Sequence, residues 1–223
     1  MPAKNKIKVF AENSFYHAYN RGYNRQEIFR DDHDYKTFLH LFRKYLEPGF
    51  KEKKTTPSGQ EYLVETNHVY QEVDLVCYCL MPNHFHLLLF QKSLEGMTKL
   101  LVRLMTNYST FFNQRYGTQS SPFQGTYKAV SIGSEAQMLQ VSRYIHANPW
   151  ELPLPTDVIS YPYSSYPHFV SVKSPDWLKT NFISDSFSSK AGYRGFVDDY
   201  VKMKIQSREK ELEGIKHLLL DHK

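Results

Sequence analysis

Cysteine is nearly absent: Cys77 and Cys79 are the only two in 223 residues. They sit too close along one apolar run for an ordinary disulfide, so they read as reduced thiols. Long apolar runs are missing as well. No segment approaches the ~18 consecutive apolar residues of a membrane span, and the basic stretch at residues 1–8 lacks the apolar run of a secretion signal. A cytoplasmic chain with no membrane partner is expected. There is no internal repeat, and with 41% hydrophobic and 23% charged residues the composition excludes a disordered class.

Aromatic residues are abundant, with 17 Tyr and 15 Phe. Most of these rings must belong to the core or the surface, so a catalytic tyrosine has to be argued from its position. The formal net charge of +5 and a pI near 9.0 suit a polyanionic partner without establishing one.

Residues 15–21 read as a short strand closed by Gly22. Asp31 and Asp32 then open a helix whose Tyr35, Phe38, Leu39, Phe42, Tyr45 and Leu46 recur at three and four, until Pro48 and Gly49 stop it. The polar stretch at about 47–72, with Pro57-Ser58-Gly59 at a turn, reads as an exposed insertion. Residues 73–80 and 84–90 are apolar runs joined by Met81-Pro82-Asn83, a hairpin pattern. Ser93 can cap a helix over 94–116, with Met97, Leu100, Leu101, Leu104, Met105, Tyr108 and Phe112 as its buried stripe and Gly117 as its stop. Residues 127–132 form a further strand. Ser134 with Gln137 is a capping-box pattern for a last helix over 135–147, which Pro149 terminates.

This order predicts an α+β fold: a ferredoxin-like βαββαβ antiparallel sheet with an added C-terminal helix and an irregular or helical tail. Residues 1–150 are expected to form the main domain. Residues 151–223, rich in Pro, Ser and Tyr at their start and weakly amphipathic around 193–205, form an extension that packs on or regulates it.

Alternate side chains on a strand share a face, so His84 and His86 point the same way, roughly 6 to 7 Å apart at the backbone, and can share one ion. Phe85, Leu87 and Leu89 face the opposite, helix-covered side. Cys77 and Cys79 could complete a Cys2His2 zinc set with these histidines, although all four ligands would then come from one hairpin; small buried hydrophobes are the preferred reading of the thiols. On the last helix, steps of ~100° put Met138, Leu139, Ser142 and Ile145 on one side and Gln137, Gln140, Tyr144 and Asn148 on another. Tyr144 and Asn148 therefore project from adjacent turns of one face. His146 lies about 200° around the helix from Tyr144, outside the group that faces the histidines.

The run Met81-Pro82-Asn83-His84-Phe85-His86-Leu87-Leu88, followed by Tyr144-Ile145-His146-Ala147-Asn148-Pro149, resembles the HUH single-tyrosine transposases, specifically the REP-associated tyrosine transposases. The opening Tyr19-Asn20-Arg21-Gly22-Tyr23-Asn24-Arg25-Gln26-Glu27-Ile28-Phe29 and the later Tyr161-Pro162-Tyr163-Ser164-Ser165-Tyr166 are similar to that family too. The four motifs occur in order over residues 13–167. The stretch at 47–74 is longer than the family pattern, and the tail beyond Trp177 matches it only loosely. The resemblance implies that His84 and His86 bind Mg²⁺ or Mn²⁺, with Asn148 as a third, helix-borne ligand and Tyr144 as the nucleophile. It also implies a hairpin-forming, imperfectly palindromic DNA with an adjacent single-stranded tetranucleotide, cut through a 5′-phosphotyrosine with no nucleotide cofactor. Arg21, Arg25, Arg103, Arg115 and Lys128 are candidates for phosphate contact, and tyrosines can stack unpaired bases. A monomer is expected ahead of a homodimer. The competing reading is a non-catalytic nucleic-acid-binding module on the same sheet, but no RNP1-like run is present and a binder has no evident need for the His pair, Tyr144 and Asn148 together.

Overall fold

The structure is a computed structural model that describes residues 10–152 and 157–219, with side chains up to residue 208. The basic stretch at 1–8 lies outside the described residues. In chain order the elements are β1 (Ser14–Arg21), α1 (Asp32–Leu46), β2 (Lys51–Thr55), β3 (Glu61–Glu65), β4 (Val73–Met81) and β5 (His84–Gln91). They continue with α2 (Gly96–Tyr116), β6 (Lys128–Ile132), α3 (Glu135–Ala147), α4 (Tyr166–Val170), α5 (Asn181–Ser184) and α6 (Lys190–Leu219). Four strands form an antiparallel sheet in the order β4-β5-β1-β6. That order, with α1 and α2 together on one face, is the expected ferredoxin-like α+β arrangement.

The two faces of the sheet carry separate cores. On the first, Phe85, Leu87 and Leu89 of β5 pack with Phe38 and Phe42 of α1 and with Leu100, Leu104 and Tyr108 of α2. Asp31 starts α1 by accepting from the backbone N–H groups of His33 and Asp34 at 3.0 and 3.2 Å. Gly117 ends α2 in the left-handed region at φ 66°, which any side chain would strain. The expected cap at Ser93 is not made. Ser93 Oγ donates to Glu72 instead, and the Met97 N–H finds the buried Gln91 side chain at 3.3 Å, so a residue of β5 satisfies the helix end.

On the second face, Leu88 of β5 and Val76, Cys77 and Cys79 of β4 pack against Met138 and Ile145 of α3 and Tyr193 and Val197 of α6. Ser134 caps α3 by accepting from the Gln137 N–H at 3.2 Å, while Gln137 reaches back to the Gly133 N–H, one residue before the cap. The insertion is exposed, as expected, yet it is ordered as a two-stranded ribbon, with Lys51 to Thr55 paired against Glu65 to Glu61. β2 is almost wholly charged and β3 carries Tyr62, Leu63 and Val64 in an unbroken run, so the alternation that marks a half-buried strand is missing from the sequence.

The Pro, Ser and Tyr-rich segment closes the outer edge of β4. Leu80 N–H donates to the Tyr163 carbonyl and Ser165 N–H to the Tyr78 carbonyl, both at 2.9 Å, and Lys179 N–H donates to the Leu75 carbonyl at 2.8 Å. An otherwise open sheet edge is thereby paired within the chain. His146, fully buried, bridges α3 to the extension through the Tyr193 hydroxyl at 2.6 Å and the Ser165 hydroxyl at 2.8 Å. Among the described residues no helix is long and apolar enough to cross a membrane.

Candidate active site

The site forms where β5, β1 and α3 meet on the second face. Strand pairing puts His86 beside Tyr19 and His84 beside Arg21 on β1. Because side chains on β1 alternate, His17 shares that face with Tyr19 and Arg21. Across the sheet α3 lays Tyr144 against the histidines, with ring centroids 5.3 Å from His86 and 6.0 Å from His17. The rings of His84 and His86 are 5.0 Å apart and nearly perpendicular.

The nitrogens of the two histidines are differently engaged. Nδ1 of His84 lies 2.6 Å from Asn83 Oδ1, an atom that can only accept, so this nitrogen carries the hydrogen and Nε2 keeps its lone pair. That Nε2 faces Asn148 Oδ1 at 3.5 Å. Asn148 Nδ2 donates to the Tyr144 carbonyl at 2.8 Å, which holds the amide with its oxygen toward His84. His86 has Nδ1 2.9 Å from His17 Nε2, leaving its own Nε2 as the unengaged nitrogen.

Burial lowers the pKa of His84, opposed by Asn148 and Glu151; it lowers His86 well below the ordinary 6.5, with His17 and His84 adding to the effect. Both imidazoles are therefore neutral near neutral pH, the form a cation requires. Burial and then Glu151 raise the Tyr144 phenol above its ordinary 10, with the Asn148 hydrogen bond opposing. Two neutral imidazoles and an oriented amide oxygen offer lone pairs that a divalent cation can accept. The zinc alternative is not assembled. Among the described residues no three His, Cys, Asp or Glu side chains form a group that could hold an ion, and burial raises both the Cys77 and Cys79 thiols. They are core residues.

The family model for "Transposase IS200 like" matches residues 11–148, which spans this whole constellation. The chain belongs to the IS200-like transposase family. Among solved structures, a REP-associated tyrosine transposase bound to a REP hairpin shares the fold, with a TM-score of 0.52 and 12% identity over 78% of this chain and 90% of that one. A structure from Deinococcus radiodurans described as a transposase gives a weaker likeness, a TM-score of 0.37 at 13% identity over 64% of this chain and 95% of that chain. Among curated proteins, none matches the sequence.

As a transposase, an enzyme that cuts and joins DNA, the chain needs cations near the reacting phosphate. Arg21, Arg25 and Lys128 line the cleft over His84 and His86, together with Tyr19 and Gln124. Arg21 donates to Gln124 through Nε. Arg25 projects from a loop in which Asn24 and Arg25 both lie in the left-handed region, at φ 50° and 60°. A non-glycine residue held there is strained, and the surroundings must enforce it. They do so through the Met81-Pro82-Asn83 turn: the Pro82 carbonyl accepts from Ile28 and Phe29, and the Asn83 carbonyl from Gly22. Two motifs 60 residues apart in the sequence thus fold as one unit; a Cβ on Gly22 would sit 2.0 Å from the Gln26 carbonyl oxygen.

Arg103 and Arg115 are not brought to this cleft. Both belong to α2, on the opposite face of the transposase sheet. Arg103 donates to the Asn67 carbonyl at 2.6 Å, and Arg115 pairs with Asp31 and the buried Asp34 at 2.5 and 2.6 Å. His17 and Tyr19, in contrast, belong to the site and were not among the residues expected there. Strand alternation from Arg21 back through Tyr19 to His17 was the signal that could have found them.

Proposed function

We propose that this transposase is a metal-dependent single-stranded DNA endonuclease and strand transferase of the REP-associated type, acting on hairpin-forming palindromic DNA through Tyr144. The observation that carries the reading is the convergence of a tyrosine from α3 with the two β5 histidines, the Tyr144 ring lying 5.3 Å from His86 and Asn148 Oδ1 3.5 Å from His84 Nε2. The likeness to a transposase bound to a REP hairpin supports hairpin DNA as the substrate.

His84, His86 and Asn148 would hold the ion. Held by these residues, Mg²⁺ or Mn²⁺ would supply positive charge against a non-bridging oxygen of the scissile phosphate. The Tyr144 oxygen attacks phosphorus and forms the P–O bond to the protein. The P–O3′ bond breaks, the leaving oxygen takes a proton to become a free 3′-hydroxyl, and the phenolic proton passes to solvent. In the rejoining step a 3′-hydroxyl attacks the 5′-phosphotyrosine and the tyrosine oxygen leaves, so bond energy is conserved and no nucleotide cofactor is needed. Arg21, Arg25 and Lys128 bind phosphates along the cleft, and Tyr19 is positioned to stack a base at its floor. The extension after α3 holds that helix against the sheet through Ser165 and Tyr193.

The test is incubation of the purified chain with single-stranded hairpin oligonucleotides from beside its own gene, with and without Mn²⁺. A protein–DNA adduct that survives denaturation and requires the ion is expected. A DNA complex with no adduct under any condition favours the binding-module reading instead.

A further inference from the structure

We infer that His17 is a positioning residue for His86: it accepts the Nδ1 hydrogen of His86 and so keeps the Nε2 lone pair of His86 directed at the cleft. The inference rests on the reading of His84 and His86 as metal ligands.

His17 lies on the central strand β1, opposite Leu88 and diagonal to His86 across the β1–β5 pairing. Diagonal neighbours on one sheet face are within reach of ring side chains. The two rings meet by their edges, with centroids 5.0 Å apart and planes inclined at 29°, and His17 Nε2 stands 2.9 Å from His86 Nδ1. One hydrogen lies between these nitrogens, which leaves two arrangements for a neutral pair. With the hydrogen on His17, the remaining hydrogen of His86 is on Nε2; one nitrogen is then blocked by His17 and the other by its own proton, so His86 has no lone pair to give. With the hydrogen on His86, Nδ1 donates to His17 and Nε2 is free. Only the second arrangement serves a cation.

His84 shows the same division by a different partner. Its Nδ1 is 2.6 Å from the Asn83 oxygen, an obligate acceptor, and its Nε2 faces Asn148. Each histidine thus has Nδ1 engaged by a neighbour and Nε2 left over. Asn83 comes from the turn before β5, whereas His17 comes from β1 and also touches the nucleophile helix, its ring 6.0 Å from that of Tyr144. Groups that orient a ligand in this way typically change metal affinity 10- to 100-fold when removed.

The test is Mn²⁺ titration calorimetry on the full chain with His17→Phe, His17→Gln and His84→Ala, combined with long-range ¹⁵N–¹H NMR of the His86 ring. The expected results are Nδ1–H at His86 in the wild type, about 10- to 100-fold weaker Mn²⁺ binding in His17→Phe, and recovery to near the wild-type value in His17→Gln, whose amide oxygen can accept the same hydrogen. A folded His17→Phe that binds Mn²⁺ like the wild type, while His84→Ala does not, would overturn the inference and leave the metal reading standing. Unchanged binding in His84→Ala would overturn both. Nε2–H at His86 in the wild-type spectrum alone would overturn the inference, whatever the variants do.

Discussion

The amide of Asn148, the C-cap of α3, donates to the carbonyl of Tyr144 one turn earlier at 2.8 Å. This bond ties the orientation of a proposed ligand to the backbone of the proposed nucleophile. If Asn148 supplies one ligand among three, Asn148→Ala should leave the nucleophile in place and raise the Mn²⁺ concentration needed for cleavage about 10- to 100-fold. Adduct yield measured against Mn²⁺ checks this. A loss that no Mn²⁺ concentration restores would assign Asn148 a different role.

The histidines and the phenylalanine between them should separate cleanly. His84→Ala or His86→Ala should abolish cleavage while hairpin affinity largely survives, because phosphate contacts elsewhere carry binding and the ion acts mainly in the transition state. Phe85 is fully buried in the opposite core, so Phe85→Ala should lower stability by about 3 to 5 kcal/mol. Gel-shift, cleavage and urea unfolding on the same three variants give the comparison.

The basic residues divide by face. Lys128→Met or Arg25→Met should weaken hairpin binding and reduce the slope of log K against log salt by about 1 each. Arg103→Met should leave that slope unchanged. Arg115→Met should also leave it unchanged but lower the urea midpoint, since Arg115 is a partner of the buried Asp34 carboxylate.

Acid should loosen the join between α3 and the extension. Burial, with a smaller contribution from His168, pushes His146 from its ordinary 6.5 down to about 3. A depressed folded value means the stability is fully present above pH 6.5 and is lost as the pH falls toward 3, because the unfolded chain binds the proton first. The slope in that window is about 1.4 kcal/mol per pH unit for one such group. His17, held at about 4 by burial, adds a second contribution. Unfolding by urea between pH 7.5 and 5 should therefore show stability falling with pH in the wild type and a shallower fall in His146→Gln. Equal slopes would contradict the assignment.

Much of this was legible in the sequence where one periodicity decides it. The period of two put His84 and His86 on one face and Phe85, Leu87 and Leu89 on the other, and the stripes of α1 and α2 named the first core. What escaped depends on neighbours distant in the chain. Glu72 and Gln91 take over the start of α2 from Ser93. Arg115 is claimed by Asp31, 84 positions away, which nothing in its own helix signals. Alternation puts His17 on the face of Tyr19 and Arg21, but its contact with His86 depends on the β1–β5 pairing. The segment at Tyr161 to Tyr166 stands out in the sequence as a motif, but its work as the cover of the β4 edge depends on the strand order.

The central claim is that Tyr144 becomes covalently joined to DNA, and its most direct measurement is mass spectrometry of the protein–DNA adduct formed with a hairpin oligonucleotide and Mn²⁺. Burial raises the Tyr144 phenol, so the yield per unit time should also grow as the pH is raised from neutral. The account predicts a 5′-phosphate on Tyr144, a free 3′-hydroxyl on the released strand, loss of both in Tyr144→Phe, and a normal adduct in Tyr19→Phe. Cleavage that persists in Tyr144→Phe with no covalent intermediate would contradict it and point to hydrolysis by water.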